Sequence, residues 1–250
     1  MEKGRIKKIV SSIDYKSTLS FFDERAKKYR DDNPYAVTMY QDDNPDIVEK
    51  RNCAELKVLL PKLKLSKESV VLDLACGIGR WSDAIKCEIK KYYGFDFCNE
   101  FINLAKKRND KTNRFFIQGG VQDIKANFEK RNLCKANKVL MIGILMYLND
   151  DELNNLFIDI MECVDSNTTI VIREPIGIVD RLTLENFYSE ELESNYSAIY
   201  RTRDEYVGFF NDTLYKSSFK IIDEGFLFES ESLNNRKETA QYYFVISRKI

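Results

Sequence analysis

The chain contains no histidine among its 250 residues. That absence removes every mechanism that needs an imidazole as base, acid or metal ligand. The six cysteines (Cys53, Cys76, Cys87, Cys98, Cys134 and Cys163) form no C-x-x-C pair. They fall in apolar or helical surroundings, so reduced, buried thiols are expected rather than disulfides or zinc ligands, and no metal is expected. No apolar run is long: Val139 to Leu148 is about half of the ~20 residues that cross a bilayer. The opening Met1-Glu2-Lys3-Gly4-Arg5 leads into no signal-like apolar region, so a cytoplasmic location is expected. Neither charge dominates, with 39 Lys and Arg against 40 Asp and Glu. No basic arm or stripe stands out, which argues against a dedicated nucleic-acid binder. Repeats and low-complexity segments are also missing. What remains is 44% apolar and 32% charged, the composition of a soluble globular protein. The length suits one α/β domain with an appended helical segment. The abundance of Lys, Asn, Ile and Tyr points to a low-GC bacterial genome.

Residues 1–65 read as helical and amphipathic. A helix runs from Leu19 through Tyr29 and is broken by Asp31-Asp32-Asn33-Pro34. Asp42-Asp43-Asn44-Pro45 starts another, with proline in an early helical position. It carries Leu56, Leu59 and Leu60 on one face and ends near Pro61. From Ser69 strands and helices alternate, which predicts a parallel sheet with right-handed crossovers. The strands are 69–74, 91–96, 114–118, 138–143 and 168–174, the last stopped by Pro175. A helix follows the first strand to about Cys87. Asn99–Arg108 presents Phe101, Ile102 and Ala105 to the sheet. A helix capped by Asn149 or Asp150 shows Leu153, Leu156, Phe157, Ile160 and Met161 at helical spacing. After a connection over 175–202 comes a helix near 203–215. Two β-like runs follow, about 218–228 and 240–248, with a polar turn around Asn234-Asn235.

The most informative stretch is Val70-Val71-Leu72-Asp73-Leu74-Ala75-Cys76-Gly77-Ile78-Gly79-Arg80-Trp81. It reads as a buried strand, a tight turn and a helix start. The two glycines let the backbone turn with φ > 0 and pass close to a ligand. The second strand ends in Asp96, and an acid there suits the two hydroxyls of a ribose. An ordinary strand–turn–helix without a ligand is the competing reading. A nicotinamide-binding turn wants a third glycine, where this chain has Ser82, and no P-loop lysine is present. Asp73 would repel a pyrophosphate but suits a cationic ligand.

The pattern Asp73-x-x-x-Gly77-x-Gly79 with the distal Asp96 resembles the S-adenosylmethionine site of the class I methyltransferases. The resemblance covers about 66–250. It implies a Rossmann-like α/β fold with a seven-stranded mixed sheet of order 3-2-1-4-5-7-6 and helices on both faces. Residues 1–65 would be a helical cap over the site, and about 175–202 a substrate-covering insertion. Ala75 stands where the family has its first glycine. By resemblance, Asp73 faces the methionine end of the cofactor, and Ala75, Gly77, Gly79 and Gly143 allow its close approach. Asp96 accepts from both ribose hydroxyls and Phe97 packs on the adenine. Arg51 matches a basic position near the cofactor carboxylate. In the Gln118–Asp123 turn, Gly120 occupies the place of the family's adenine-binding acid. Asp123 takes that role, or Gln122 and the Val121 backbone do; otherwise Asp123 caps the next helix. Arg80 is either a cofactor contact or a solvated charge, and Trp81 packs.

Tyr147 stands where many members carry a histidine beside the transferring methyl. Its hydroxyl orients a nucleophile, its ring faces the sulfonium, or it is a core aromatic. Glu174 is the best-placed carboxylate to take a proton from a hydroxyl nucleophile, unless it caps a loop. Arg173, Arg181, Arg201 and Arg203 form a candidate clamp for an anion, with Tyr188 and Tyr200 stacking on a sugar or base. The alternative is a solvated insertion.

The Gly-Ile-Gly-Arg-Trp turn with this Arg-Glu-Pro insertion is similar to methyltransferases of bacterial capsule and lipopolysaccharide gene clusters. That implies O-methylation of a surface-polysaccharide precursor on a sugar hydroxyl, a phosphate or a phosphoramidate oxygen. The partner would be a small-molecule or nucleotide-activated glycan precursor, with no nucleic acid and no membrane insertion, and the protein a monomer or homodimer. A small-molecule or amino-sugar N-methyltransferase is the nearest alternative. DNA amines are disfavoured because no Asn/Asp-Pro-Pro-Tyr follows the fourth strand. A cofactor-binding accessory protein without turnover is the alternative of another class.

Overall fold

Strand Val70–Leu74 is buried at all five positions, as a strand must be when helices cover both faces of its sheet. The computed structural model describes residues 4–7, 11–40, 44–190, 192–228, 233–234 and 236–248. Met1 to Lys3 of the expected start, Asp42 and Asp43 of the second helix signal, and Asn235 of the expected polar turn lie outside the described residues. The strands are β1 (Arg5–Lys7), β2 (Val70–Leu74), β3 (Lys91–Asp96), β4 (Arg114–Gln118), β5 (Ala136–Ile142), β6 (Val164–Gly177), β7 (Leu182–Ser189), β8 (Ser194–Tyr200), β9 (Phe219–Phe226) and β10 (Thr239–Arg248). The helices are α1 (Tyr15–Lys27), α2 (Ala36–Met39), α3 (Pro45–Leu59), α4 (Arg80–Ala84), α5 (Asn99–Arg108), α6 (Ile124–Arg131), α7 (Asp150–Cys163) and α8 (Arg203–Asp212).

Seven strands form one sheet in the order β4-β3-β2-β5-β6-β10-β9. Strands β2 to β6 pair in parallel, and β10 runs antiparallel to both β6 and β9. Counted along the chain, these seven strands have the expected order 3-2-1-4-5-7-6, with helices on both sides, and the fold is Rossmann-like. The order reverses between β2 and β5, so their carboxyl ends open a crevice, the usual ligand position of such sheets.

One face of the sheet is covered by α6, α7 and α8: Phe128 stacks on Phe95, Phe157 meets Phe210, and Phe210 meets Phe244. The other packs Leu59, Leu63, Trp81 and Ile102 against Val71, Leu140 and Val171. Local signals place the helix starts. Asn149 and Glu152 form a capping box on α7, Thr202 and Glu205 another on α8, and Asn44 caps α3 ahead of Pro45.

Three expectations need correction. The N-terminal 65 residues are not all helical: β1 pairs with β7 to make a second sheet, β1-β7-β8. Pro175 does not stop the fifth strand of the large sheet. β6 continues to Gly177 because β5 has already ended opposite Arg173, leaving only β10 beside it, and such an edge tolerates proline. Cys76, Cys98 and Cys163 are buried, but Cys53, Cys87 and Cys134 are exposed; all six are free. Among the described residues no helix is long and apolar enough to cross a membrane.

Candidate functional site

The turn after β2 brings three left-handed residues close together, Ala75 (φ 59°), Gly77 (53°) and Gly79 (83°). Such angles suit glycine and strain alanine. The Gly77 amide donates to Asp96 Oδ2 at 2.9 Å, and the Cys98 amide to Asp96 Oδ1 at 2.9 Å. One carboxylate at the tip of β3 thus ties the glycine turn to the start of α5. Burial pushes Asp96 up to about 6, against those two amides, which favour its charge. A Cβ on Gly77 would lie 2.8 Å from the Thr38 methyl, so the N-terminal segment approaches this backbone closely. Asp73 is buried inside the sheet, where the Tyr92 hydroxyl donates to it, and burial pushes it up to about 7.

Two cavities open at these strand tips. The smaller, about 100 Å³, is lined by Ala75, Gly77, Asp96, Phe97, Val121 and Gln122 on the sheet side. Gly143 and Tyr147 also line it, and Tyr15, Phe22 and Tyr40 cover it from the N-terminal segment. The larger, about 680 Å³, is lined by Arg51, Glu55, Arg173, Tyr188, Tyr200 and Arg236 among others. The two share Thr38, Tyr40, Ile142 and Gly143, which makes these residues a throat. There the Tyr40 and Tyr147 hydroxyls are 2.6 Å apart, and the Tyr147 ring meets Phe22 edge-on at 5.2 Å. Burial pushes Tyr147 well above its ordinary value and Tyr40 up to about 12. Both are neutral hydroxyls near pH 7.

Several expected site residues lie elsewhere. Asp73, Gly79 and Asp123 line neither cavity, and Arg51 lines only the larger one rather than the crevice expected for the cofactor. Gly79 is the N-cap of α4, and Asp123 is exposed at the start of α6. Of the alternatives for the adenine end, Val121 and Gln122 are the ones at the cavity. Glu174 is wholly buried and accepts from the amides of Ile144 (2.8 Å), Leu145 (2.9 Å) and Met146 (3.2 Å). Burial pushes it up to about 7, against those amides. With no opening to a cavity, it does not stand where a base for an acceptor must stand.

The arginine clamp is likewise dispersed. Arg201 is buried and donates to the Leu145 and Leu148 carbonyls, at 2.9 and 2.7 Å, and to Asp150. Arg181 pairs with Asp150 and Glu205, and Arg203 with Glu224 and Asp204. Only Arg173 of the four reaches a cavity, and its Nε pairs with Glu55 at 2.7 Å. Glu55 also takes Arg80, which donates to Asn52 as well. Burial pushes the Glu55 carboxyl up, but the guanidiniums of Arg173 and Arg80 prevail and hold it below the ordinary range. Arg80 is therefore neither a solvated charge nor at a cavity.

Arg236 and Tyr40 were not singled out from the sequence. Arg236 lies over the Phe187 ring at 5.5 Å and donates to the Tyr196 hydroxyl at 2.6 Å. Both residues come from stretches without a motif; a lone arginine in a polar turn and a tyrosine after a proline break carry no local signal.

Residues 71–167 match a family described as a methyltransferase domain. The chain is 25% identical over 142 residues to a probable cobalt-precorrin-6B C(15)-methyltransferase of Methanococcus vannielii, covering 53% of this chain and 71% of that protein. It is 31% identical over 91 residues to an uncharacterized RNA methyltransferase of Nanoarchaeum equitans, covering 34% of this chain and 18% of the relative. Among solved structures, the phosphoethanolamine N-methyltransferase 1 of Haemonchus contortus, in complex with phosphoethanolamine and S-adenosylhomocysteine, aligns with a TM-score of 0.68 at 15% identity. The alignment covers 94% of this chain and 49% of that one. At that identity the likeness is one of fold.

Proposed function

We propose that this chain is an S-adenosylmethionine-dependent methyltransferase whose cofactor lies across the tips of β2, β3 and β5 and whose acceptor enters through the larger cavity. One observation carries the reading: two cavities of different chemistry meet in a common throat at the switch point of the sheet. The residues present fit the cofactor. The Asp96 oxygens each hold one amide and keep lone pairs for ribose hydroxyls. Phe97 and Val121 offer an apolar wall for an adenine ring. Gly77 leaves its backbone bare where a Cβ would collide. Thr38, Phe22 and Tyr40 cover the crevice, which supports residues 1–65 as a cap.

What S-adenosylmethionine supplies when bound is an electrophilic methyl on a sulfonium; the protein supplies alignment and shielding from water. Tyr147 and Tyr40 orient the acceptor atom at the throat. Their neutral hydroxyls, with Thr38, Ile142 and Gly143, offer no ionised base there. The acceptor atom therefore arrives already nucleophilic, as an acidic oxygen or an amine. Arg51, Arg173 and Arg236 line the larger cavity against Glu55 and Glu190, three cations to two carboxylates, and that excess favours the anionic case. Its volume suits a sugar-sized ligand. We therefore read the substrate as an acidic precursor of a bacterial surface polysaccharide, methylated on a phosphate or phosphoramidate oxygen. An amino sugar is the second reading, favoured by the same lack of a base.

Calorimetry with S-adenosylhomocysteine should show one site per chain. Release of S-adenosylhomocysteine should then be followed with sugar phosphates, phosphoramidates and amino sugars as acceptors. No binding by folded protein ends the cofactor assignment. Turnover confined to amino sugars replaces the first reading by the second.

A further inference from the structure

The segment between β5 and α7, residues 144–148, forms the wall where the two cavities meet. Met146 lines the larger one; Ile144, Tyr147 and Leu148 line the smaller. Leu145–Tyr147 is a single 3-10 turn, too short to satisfy its own backbone groups. Two ionisable side chains from other elements satisfy them, a carboxyl for one polarity and a guanidinium for the other. On the amide side, the Glu174 carboxylate at the end of β6 accepts from three consecutive N–H groups, those of Ile144, Leu145 and Met146. On the carbonyl side, Arg201 donates Nη1 to Leu145 and Nη2 to Leu148. Arg201 is itself held by Asp150, the first residue of α7, which also takes Arg181. Glu174 and Arg201 are both fully buried and line neither cavity.

We propose that Glu174 and Arg201 are positioning residues for Tyr147: they grip the 144–148 turn from its amide and carbonyl sides and so fix the Tyr147 hydroxyl against Tyr40 at the throat. The role given to Tyr147 rests on the proposed function; the grip itself is a property of the ligand-free chain. Buried charges are a costly way to fill space, since apolar residues of similar shape stabilise as well or better. Here each of the two groups is used on backbone groups of an irregular turn that no regular ladder can satisfy. The turn is thereby over-determined, as a segment that must present one hydroxyl in one place needs to be.

The test uses the full chain labelled with 3-fluorotyrosine, the Tyr147 signal being assigned through Tyr147→Phe. Arg201→Gln and Glu174→Gln should each shift or split that signal while Tyr92, packed on the other face of the sheet, keeps its own. Arg201→Lys, which retains a charged donor, should move it less than Arg201→Gln. In the unmutated protein, the amides of Ile144, Leu145 and Met146 should exchange at least about a thousandfold slower than in an unstructured peptide. An unchanged Tyr147 signal in folded Arg201→Gln and Glu174→Gln overturns the proposal. So does exchange at loop-like rates, which is read without any variant and decides the matter if the variants do not fold. Neither readout uses the cofactor, so a failure of S-adenosylhomocysteine to bind strikes the functional reading and not this one.

Discussion

A chain without histidine has no ordinary side chain that titrates between pH 5 and 7.5, and its stability should be level across that window. Three buried carboxyls overturn that expectation. Burial pushes Asp73 and Glu174 up to about 7 and Asp96 up to about 6, from ordinary values of 3.8, 4.5 and 3.8. In the unfolded chain all three are ionised by pH 5.5; in the folded chain they still hold protons. A group raised on folding contributes stability that is complete below its unfolded value and lost as pH rises through its folded value. Carboxyls held low, such as Glu55 and Asp150, are ionised in both states above pH 5 and add no slope. Each proton held only by the folded state contributes about 1 kcal/mol per pH unit. Three such groups, dropping out between pH 6 and 7, give an expected fall of several kcal/mol from pH 5 to 7.5. Urea unfolding at constant ionic strength at pH 5, 6, 7 and 8 reads it directly. Asp96→Asn should remove one proton's share of the slope, the share that lies below about pH 6 and ends there. Two-state unfolding with a stability that is flat, or that rises, over this range refutes the reasoning.

Three further outcomes follow from the site. Asp96→Asn should weaken S-adenosylhomocysteine binding roughly tenfold to a hundredfold, the loss of a charge-assisted hydrogen-bond pair; in the unmutated protein, calorimetry should show affinity rising with pH through about 6 as this carboxyl ionises. Arg173→Ala and Arg236→Ala line only the larger cavity, so that affinity should stay within about twofold in both, and a tenfold loss would place them at the cofactor instead. Gly77→Ala combines a left-handed φ with a 2.8 Å approach to Thr38 and should cost about 1–2 kcal/mol in denaturant unfolding. Ala75→Gly relieves a left-handed alanine at the expense of a more flexible unfolded chain, and should stay within about 1 kcal/mol of the parent.

What could be read from the residues, and what could not, divides along sequence distance. The strand spans, the Asn149 cap of α7 and the left-handed glycine turn after β2 arise within short stretches, where burial pattern and turn chemistry act locally, whereas the order of the strands comes from the family resemblance. The arginines do not. Arg173, Arg181, Arg201 and Arg203 look alike in sequence, and what separates them is the acid that each meets: Glu55, Asp150 or Glu224, brought from far along the chain. Local spacing carries no information about such pairings. The same holds for β1, whose three residues gain meaning only beside β7.

Tyr147 shows the consequence for chemistry. By resemblance it occupies a place where an imidazole often stands. An imidazole there could accept a proton; a buried tyrosine held at 2.6 Å from a second tyrosine, with its pKa pushed well up, cannot do so near neutral pH. Glu174, the other expected participant, holds backbone rather than facing a cavity. On the proposed reading the protein therefore works through alignment and charge, and its acceptor must bring its own nucleophile. A turnover rate that rises with a pKa near 7 and vanishes in Tyr147→Phe would require proton removal by that hydroxyl and would break this argument. A rate that follows only the acceptor's own ionisation, with Tyr147→Phe slowed by about tenfold to a hundredfold, is the expected result.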